Sequence, residues 1–183
     1  MFHCFAGGAG IRRRVVLLLG GARSGKSDLA LKLLARGRGK RGYIATAQAL
    51  DVEMSARIRV HRGVRGSQWE TFEIPIELPC NLEKIAATHS RLLVDCLTLW
   101  LSNVLARNRS DRSVLQKIDL LAKSVRKVSG RLVLVSNEVG LGVVPDHPLG
   151  RRFRDLSGIM HQKLAAAADE VYWVMAGLSL RLK

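Results

Sequence analysis

A chain of 183 residues, 48% hydrophobic and 25% charged, is long enough to bury one full core unaided, which excludes a disordered polymer or a stapled miniprotein. Its longest apolar runs are strand-sized, so no transmembrane helix is expected. Three scattered cysteines (Cys4, Cys80 and Cys96) with no C-x-x-C pair argue against a disulfide framework or zinc site and point to a reducing cytoplasm.

The net charge of +15 is unevenly placed, since residues 1–66 hold 14 Lys/Arg against 3 Asp/Glu. A basic half attracts either nucleic acid or a polyphosphate nucleotide. Only Phe2, Phe5 and Tyr43 are aromatic there, too few to stack a single strand, which favours the nucleotide.

In Met1 to Arg14 the basic cluster Arg12-Arg13-Arg14 follows the apolar part, the reverse of a secretory signal, so a poorly ordered extension is expected. Residues 15–183 are read as one α/β domain. An apolar strand, Val15 to Leu19, leads into Gly20-Gly21-Ala22-Arg23-Ser24-Gly25-Lys26-Ser27, which fits the phosphate-binding pattern G-x-x-x-x-G-K-[ST]. A helix with Leu29, Leu33 and Leu34 on one side follows. Glycines let backbone N–H groups curl around a phosphate, and the helix N-terminus adds its positive dipole end. Lys26 is placed to reach the outer phosphates and Ser27 to sit on Mg2+.

A flexible basic loop, Ala35 to Gly42, precedes a strand over Tyr43 to Ala47. Asp51 is a candidate N-cap for a helix over 52–62, where Met54, Ile58 and His61 share one face. Trp69 to Ile74 alternates as a strand closed by Pro75 and Pro79, and Asn81 is a candidate cap for a helix reaching Ala87. Leu92-Leu93-Val94-Asp95 is a buried strand ending in an acid, followed by a helix from Leu97 to Ala106.

Beyond a polar break at Asn108 to Asp111, Val114, Ile118, Leu121 and Val125 mark an amphipathic helix. Leu132 to Val135 is a further strand. Asp146 is a possible cap for a long helix striped by Leu149, Phe153, Leu156, Met160 and Leu164 and ending near Ala168. Val171 to Met175 is the last strong strand, with a shorter tail beyond Gly177. Apolar strands alternating with amphipathic helices predict a mostly parallel sheet covered on both faces, a RecA-like P-loop nucleotide-hydrolase fold.

Asp95, at the C-terminal end of its strand, stands at the sheet edge where ligands bind and is placed to hold Mg2+, although a strand-end Asp also caps the next helix. Glu138 is a second strand-end acid; it orients water or Mg2+, or merely shapes the turn. His61 is either packed in the core or a nucleophile. Arg57, Arg62 and Arg65 nearby oppose imidazolium formation and favour the neutral ring that nucleophilic attack requires.

The segments GGARSGKS, YIATAQALDVEMSARIRVHRGVR, WETFEIP, LLVDCLTLW, LVSNEVGLGVVPDHPLGRRFRD and LAAAADEVYWVMAGL occur in order over nearly the whole chain. Together they resemble the bifunctional adenosylcobinamide kinase / adenosylcobinamide-phosphate guanylyltransferases of cobalamin biosynthesis. The resemblance implies two reactions. A nucleoside triphosphate (GTP or ATP) phosphorylates adenosylcobinamide; GTP then gives GMP to a histidine, and adenosylcobinamide phosphate takes it up as adenosylcobinamide-GDP. It also implies a homotrimer.

The family's guanylylated histidine matches His61. Its nucleotide contacts match Gly20 to Ser27, the turn Ala45-Thr46-Ala47, the stretch Arg62-Gly63-Val64-Arg65, Glu73 and Asp95. Magnesium on Ser27 and Asp95 is expected to neutralise the leaving pyrophosphate. Two departures stand out: the basic extension is longer than the family's usual lead, and Val60 stands where some relatives carry a second histidine. The alternatives are a P-loop kinase of another small alcohol, with His61 structural, and a nucleotide-regulated protein that binds nucleic acid without turnover.

Overall fold

The computed structural model describes residues 13–48 and 68–183. Its strands are β1 (Arg14–Gly20), β2 (Arg41–Ala45), β3 (Trp69–Glu73), β4 (Arg91–Asp95), β5 (Arg131–Asn137), β6 (Glu170–Met175) and β7 (Leu178–Arg181). They form one sheet in the order β3-β2-β4-β5-β1-β6-β7. Every pairing is parallel except β6 with β7. The residues after Gly177, expected only as a tail, therefore add an antiparallel edge strand. Left-handed Ala176 (φ 51°) and Gly177 (φ 79°) form the tight reversal that makes this hairpin.

The central strands are apolar throughout because both faces are covered. Alternation divides β1 cleanly: Val15, Leu17 and Leu19 join one cluster, Val16 and Leu18 the other. The first cluster is closed by four helices: α2 (Leu78–Ala86), α3 (Leu97–Arg107), α4 (Asp111–Lys127) and α5 (Pro148–Ala167). The second is covered by α1 (Lys26–Ala35), through Ala30 and Leu34.

The expected stripe of α4 is realised, with Val114, Ile118, Leu121 and Val125 all fully buried. Its ends suit the helix dipole, with Asp111 in the first turn and Arg126 and Lys127 in the last. The C-terminal end of α1 is met by the buried Arg91 guanidinium, which donates to the carbonyls of Leu34 (3.2 Å) and Ala35 (3.4 Å).

Two capping expectations are corrected. Helix α2 begins at Leu78 with Glu77 as its N-cap and Pro79 in its first turn, where a missing N–H costs nothing. Asn81 lies inside it and donates its amide back to the Glu77 carbonyl at 2.8 Å. Helix α5 is capped by His147 rather than Asp146; the imidazole accepts the Leu149 N–H at 3.2 Å, and Pro148 opens the helix. The predicted strand over Tyr43 to Ala47 runs from Arg41 to Ala45, so Thr46 and Ala47 lie just beyond it. The expected helix over 52–62 lies outside the described residues.

The basic cluster ahead of β1 is tied down from Arg13 onward. Arg13 donates to Asp169 at 2.9 Å, and Arg14, the first residue of β1, pairs with Glu170 at 2.7 Å.

Candidate active site: a phosphate cradle at the carboxyl edge of the sheet

The loop between β1 and α1 is shaped by glycines at its two ends. Gly20 has φ 156°, and a Cβ there would come within 2.1 Å of the Val174 carbonyl oxygen, so the neighbouring strand admits no side chain. Gly25 is left-handed at φ 96° and caps α1, turning the chain so that the first helical N–H groups face the loop. Lys26 opens the helix and folds back into the loop. Its ammonium donates to the carbonyls of Gly20 (3.0 Å) and Gly21 (2.5 Å) and to Ser24 Oγ (3.2 Å).

Only 5% of Lys26 is exposed. Burial lowers its pKa, and the carboxylate of Asp95 opposes that shift. A cation caged by oxygens at a helix N-terminus is poised to exchange those partners for phosphate oxygens.

Asp95 ends β4, in register with Ala45 of β2, which is itself in register with Glu73 of β3. Ser27 Oγ and the Tyr43 hydroxyl both donate to Asp95 Oδ2 at 3.0 Å. The structure thus brings together Lys26, Ser27 and Asp95 from the predicted site. Tyr43 was legible only as a strand aromatic; nothing in its spacing marked it as a partner of Asp95. Arg23 is exposed and left-handed (φ 53°) at the mouth of the loop. Glu73 is exposed at the end of edge strand β3. His61, Arg62, Gly63, Val64 and Arg65 lie outside the described residues.

Thr46 is fully buried, and its hydroxyl clasps the residue after Asp95. Oγ1 donates to the Cys96 carbonyl at 2.6 Å and accepts the Cys96 N–H at 3.0 Å. Asn103 supports the same turn by donating to the Thr46 carbonyl at 2.8 Å. Thr46→Val keeps the shape and leaves the buried Cys96 N–H unpaired, while the Cys96 carbonyl keeps the Trp100 N–H at 3.2 Å; the loss costs about 1–3 kcal/mol. A lowered urea midpoint at unchanged m-value is the expected result; an unchanged midpoint would show that the clasp contributes nothing.

A second cluster was missed as a unit by sequence reasoning. Glu138, directly after β5, donates its N–H to the Gly20 carbonyl at 2.9 Å, the same oxygen that receives Lys26 Nζ. Its carboxylate lies 3.4 Å from His161 Nδ1, and His161 Nε2 is 2.7 Å from Ser136 Oγ. His161 sits beside Met160 on the buried stripe of α5, so sequence alone gives it the look of a core residue. Burial lowers its pKa, while Glu138 pulls it back up.

The hydroxyl of Ser27 and the carboxylate of Asp95 are hard oxygen donors set side by side, the chemistry Mg2+ prefers. Among the described residues no group of three or more His, Cys, Asp and Glu could hold a metal. Two protein donors therefore fit an ion whose remaining ligands are phosphate oxygens and water. At the opposite end of β4 and β5 lies a hollow of about 290 Å³ lined by Ala86, Ala87, Thr88, His89, Ser90, Ser129 and Gly130. It offers neither the glycine loop nor the Lys–Ser–Asp constellation.

Comparison with known proteins agrees with this geometry. The family described as cobinamide kinase / cobinamide phosphate guanyltransferase matches residues 16–182. The bifunctional adenosylcobalamin biosynthesis protein CobP of Pseudomonas aeruginosa is 46% identical over 167 residues, covering 91% of this chain and 96% of its own. The bifunctional adenosylcobalamin biosynthesis protein CobU of Salmonella typhimurium is 37% identical, with 92% and 99% covered, and that of Escherichia coli is 36% identical with the same coverage. A KaiC-like protein from Pyrococcus horikoshii superposes with a TM-score of 0.49 at 14% identity, over 87% of this chain and 70% of its own. The chain belongs to the cobinamide kinase / cobinamide phosphate guanyltransferase family, and it is a bifunctional kinase and nucleotidyltransferase of cobalamin biosynthesis.

Proposed function

We propose that both reactions run on one phosphate cradle, with His61 carrying GMP between them. The observation that carries this reading is the caged ammonium of Lys26 beside the hydrogen-bonded pair Ser27–Asp95. In the first reaction the loop N–H groups and Lys26 hold the triphosphate of GTP or ATP while its γ-phosphoryl group passes to the hydroxyl of adenosylcobinamide. In the second, the same loop holds GTP so that His61 faces the α-phosphate.

A neutral imidazole nitrogen attacks that phosphorus, a P–N bond forms, and pyrophosphate leaves with the P–O electron pair. The phosphate of adenosylcobinamide phosphate then displaces the imidazole to give adenosylcobinamide-GDP. Arg62 and Arg65 are proposed to hold the phosphates, with Gly63 and Val64 bringing backbone alongside. Glu73, with Ala45-Thr46-Ala47, is proposed to meet the ribose or guanine at the adjacent strand ends. Ser27 and Asp95 are the proposed Mg2+ ligands, and the ion supplies charge neutralisation for the leaving diphosphate or pyrophosphate.

No helix among the described residues is long and apolar enough to cross a membrane; a cytoplasmic location is proposed from the three scattered cysteines. Self-association as a homotrimer is proposed from the family resemblance; the exposed Met175, Leu178 and Leu180 on and beside edge strand β7 offer it apolar surface.

Incubation with α-labelled GTP is expected to give protein-bound label that is acid-labile and base-stable, as a phosphoramidate is. His61→Ala is expected to lose that label completely and to retain phosphorylation of adenosylcobinamide within about threefold, since the γ-transfer has no use for the imidazole. Label that survives the substitution overturns the assignment of His61.

A further inference from the structure

The two reactions make different demands on protons. In guanylyl transfer the nucleophiles are a neutral imidazole and an already ionised phosphate, so no base is needed. In phosphoryl transfer the acceptor is an alcohol, whose proton must leave as the oxygen attacks. Asp95 is engaged by Ser27 and Tyr43 and placed for the metal. Among the described residues, Glu138 is a second carboxylate that the fold joins to the root of the phosphate loop, through its N–H on the Gly20 carbonyl.

Its side chain is held in a defined pose. Oε1 accepts the Gly140 N–H at 2.5 Å, and a Cβ at Gly140 would come within 2.7 Å of that same oxygen. Oε2 faces His161 Nδ1 at 3.4 Å, and His161 Nε2 meets Ser136 Oγ at 2.7 Å. Ser136 is fully buried and His161 is 6% exposed, while the Glu138 side chain is 19% exposed. One end of the relay is sealed in the core, and the other opens at the carboxyl edge beside the loop. The network assigns the neutral tautomer with Nδ1–H toward Glu138 and Nε2 accepting from the Ser136 hydroxyl.

We propose that Glu138 is the general base of the phosphoryl-transfer half-reaction, with His161 and Ser136 as its positioning residues. The acceptor's O–H bond breaks and its proton goes to the Glu138 carboxylate. The freed electron pair forms the new bond to the γ-phosphorus, and the bond to the β,γ-bridging oxygen breaks with its pair leaving on the nucleoside diphosphate. The carboxylic acid then re-ionises to solvent through its exposed side. His161 stays neutral throughout, and its buried setting favours that form.

The proposal rests on the kinase activity of this chain, and the test separates the two. Glu138→Gln is close to isosteric and removes only the basic oxygen. It is expected to lower kcat for phosphorylation of adenosylcobinamide by about 10²–10⁴-fold at unchanged KM for the nucleotide. In the same preparation, the GMP adduct and its transfer to pre-phosphorylated acceptor are expected within about threefold of wild type, which also reports correct folding.

His161→Ala is expected to lower the phosphorylation kcat about tenfold, and His161→Asn, which keeps a donor, to restore most of it. Phosphorylation retained within threefold in Glu138→Gln overturns the proposal alone, as does an equal loss of both half-reactions. A wild-type chain that guanylylates but does not phosphorylate overturns the kinase reading and this proposal with it.

Discussion

Lys26→Ala is expected to abolish both half-reactions together, lowering kcat/KM for each by about 10³-fold or more, as loss of a preorganised charge on a transferring phosphoryl group does. The ammonium occupies a cage of Gly20 and Gly21 carbonyls and Ser24 Oγ, and both reactions are proposed to place their phosphates there. Lys26→Arg is expected to fail nearly as badly, because a planar guanidinium cannot replace a compact cation among three converging oxygens.

The fold itself should survive, since a buried cation leaves along with the lysine and the loop's shape rests on its glycines. The discriminating measurement is thermal unfolding with and without GTP and Mg2+. Wild type gains stability in proportion to the logarithm of nucleotide concentration, and the variant is expected to gain almost none. A variant that keeps one half-reaction would show that the two do not share this cradle.

The second large effect concerns stability. Trp100 of α3 is fully buried in the main core cluster, and its Nε1–H donates to the Ile76 carbonyl at 2.8 Å. Trp100→Ala removes the contacts of a large ring and orphans that carbonyl, for a loss of about 3–5 kcal/mol. At this chain length that corresponds to a fall in Tm of roughly 10 °C. Trp100→Phe keeps most of the volume, loses the donor and is expected to recover more than half of the deficit. Calorimetry on the three proteins decides it; a fall of under 1 kcal/mol for the alanine variant would mean the core closes over the gap.

What could be read in advance followed from local chemistry. The phosphate loop was legible because its glycines, lysine and serine are demanded by backbone geometry at fixed spacing, and Gly20, Gly25, Lys26 and Ser27 do adopt that arrangement. Asp95 was legible because a buried apolar run that ends in an acid has one natural place in a parallel sheet. The caps were less so. Asn81 and Asp146 are good capping types, yet Pro79 and Pro148 already set the starts of α2 and α5, and each helix takes the residue its proline dictates.

Edge strand β7 escaped because four exposed residues leave no burial period to detect. The Ser136–His161–Glu138 relay escaped for a different reason. Its members come from β5, α5 and the turn between, and only the crossing of that helix over that strand end brings them within reach.

The bracing of the phosphate loop bears on how the protein is made. Gly177 donates its N–H to the Ser24 carbonyl at 3.0 Å, and the Gly20 backbone lies against Val174. The nucleotide cradle, encoded near residue 20, is thus completed by a hairpin encoded after residue 170. A nascent chain on the ribosome holds an unfinished loop through most of its synthesis. Nucleotide capture then becomes a late event, available to chains that have emerged through Gly177 and docked β6.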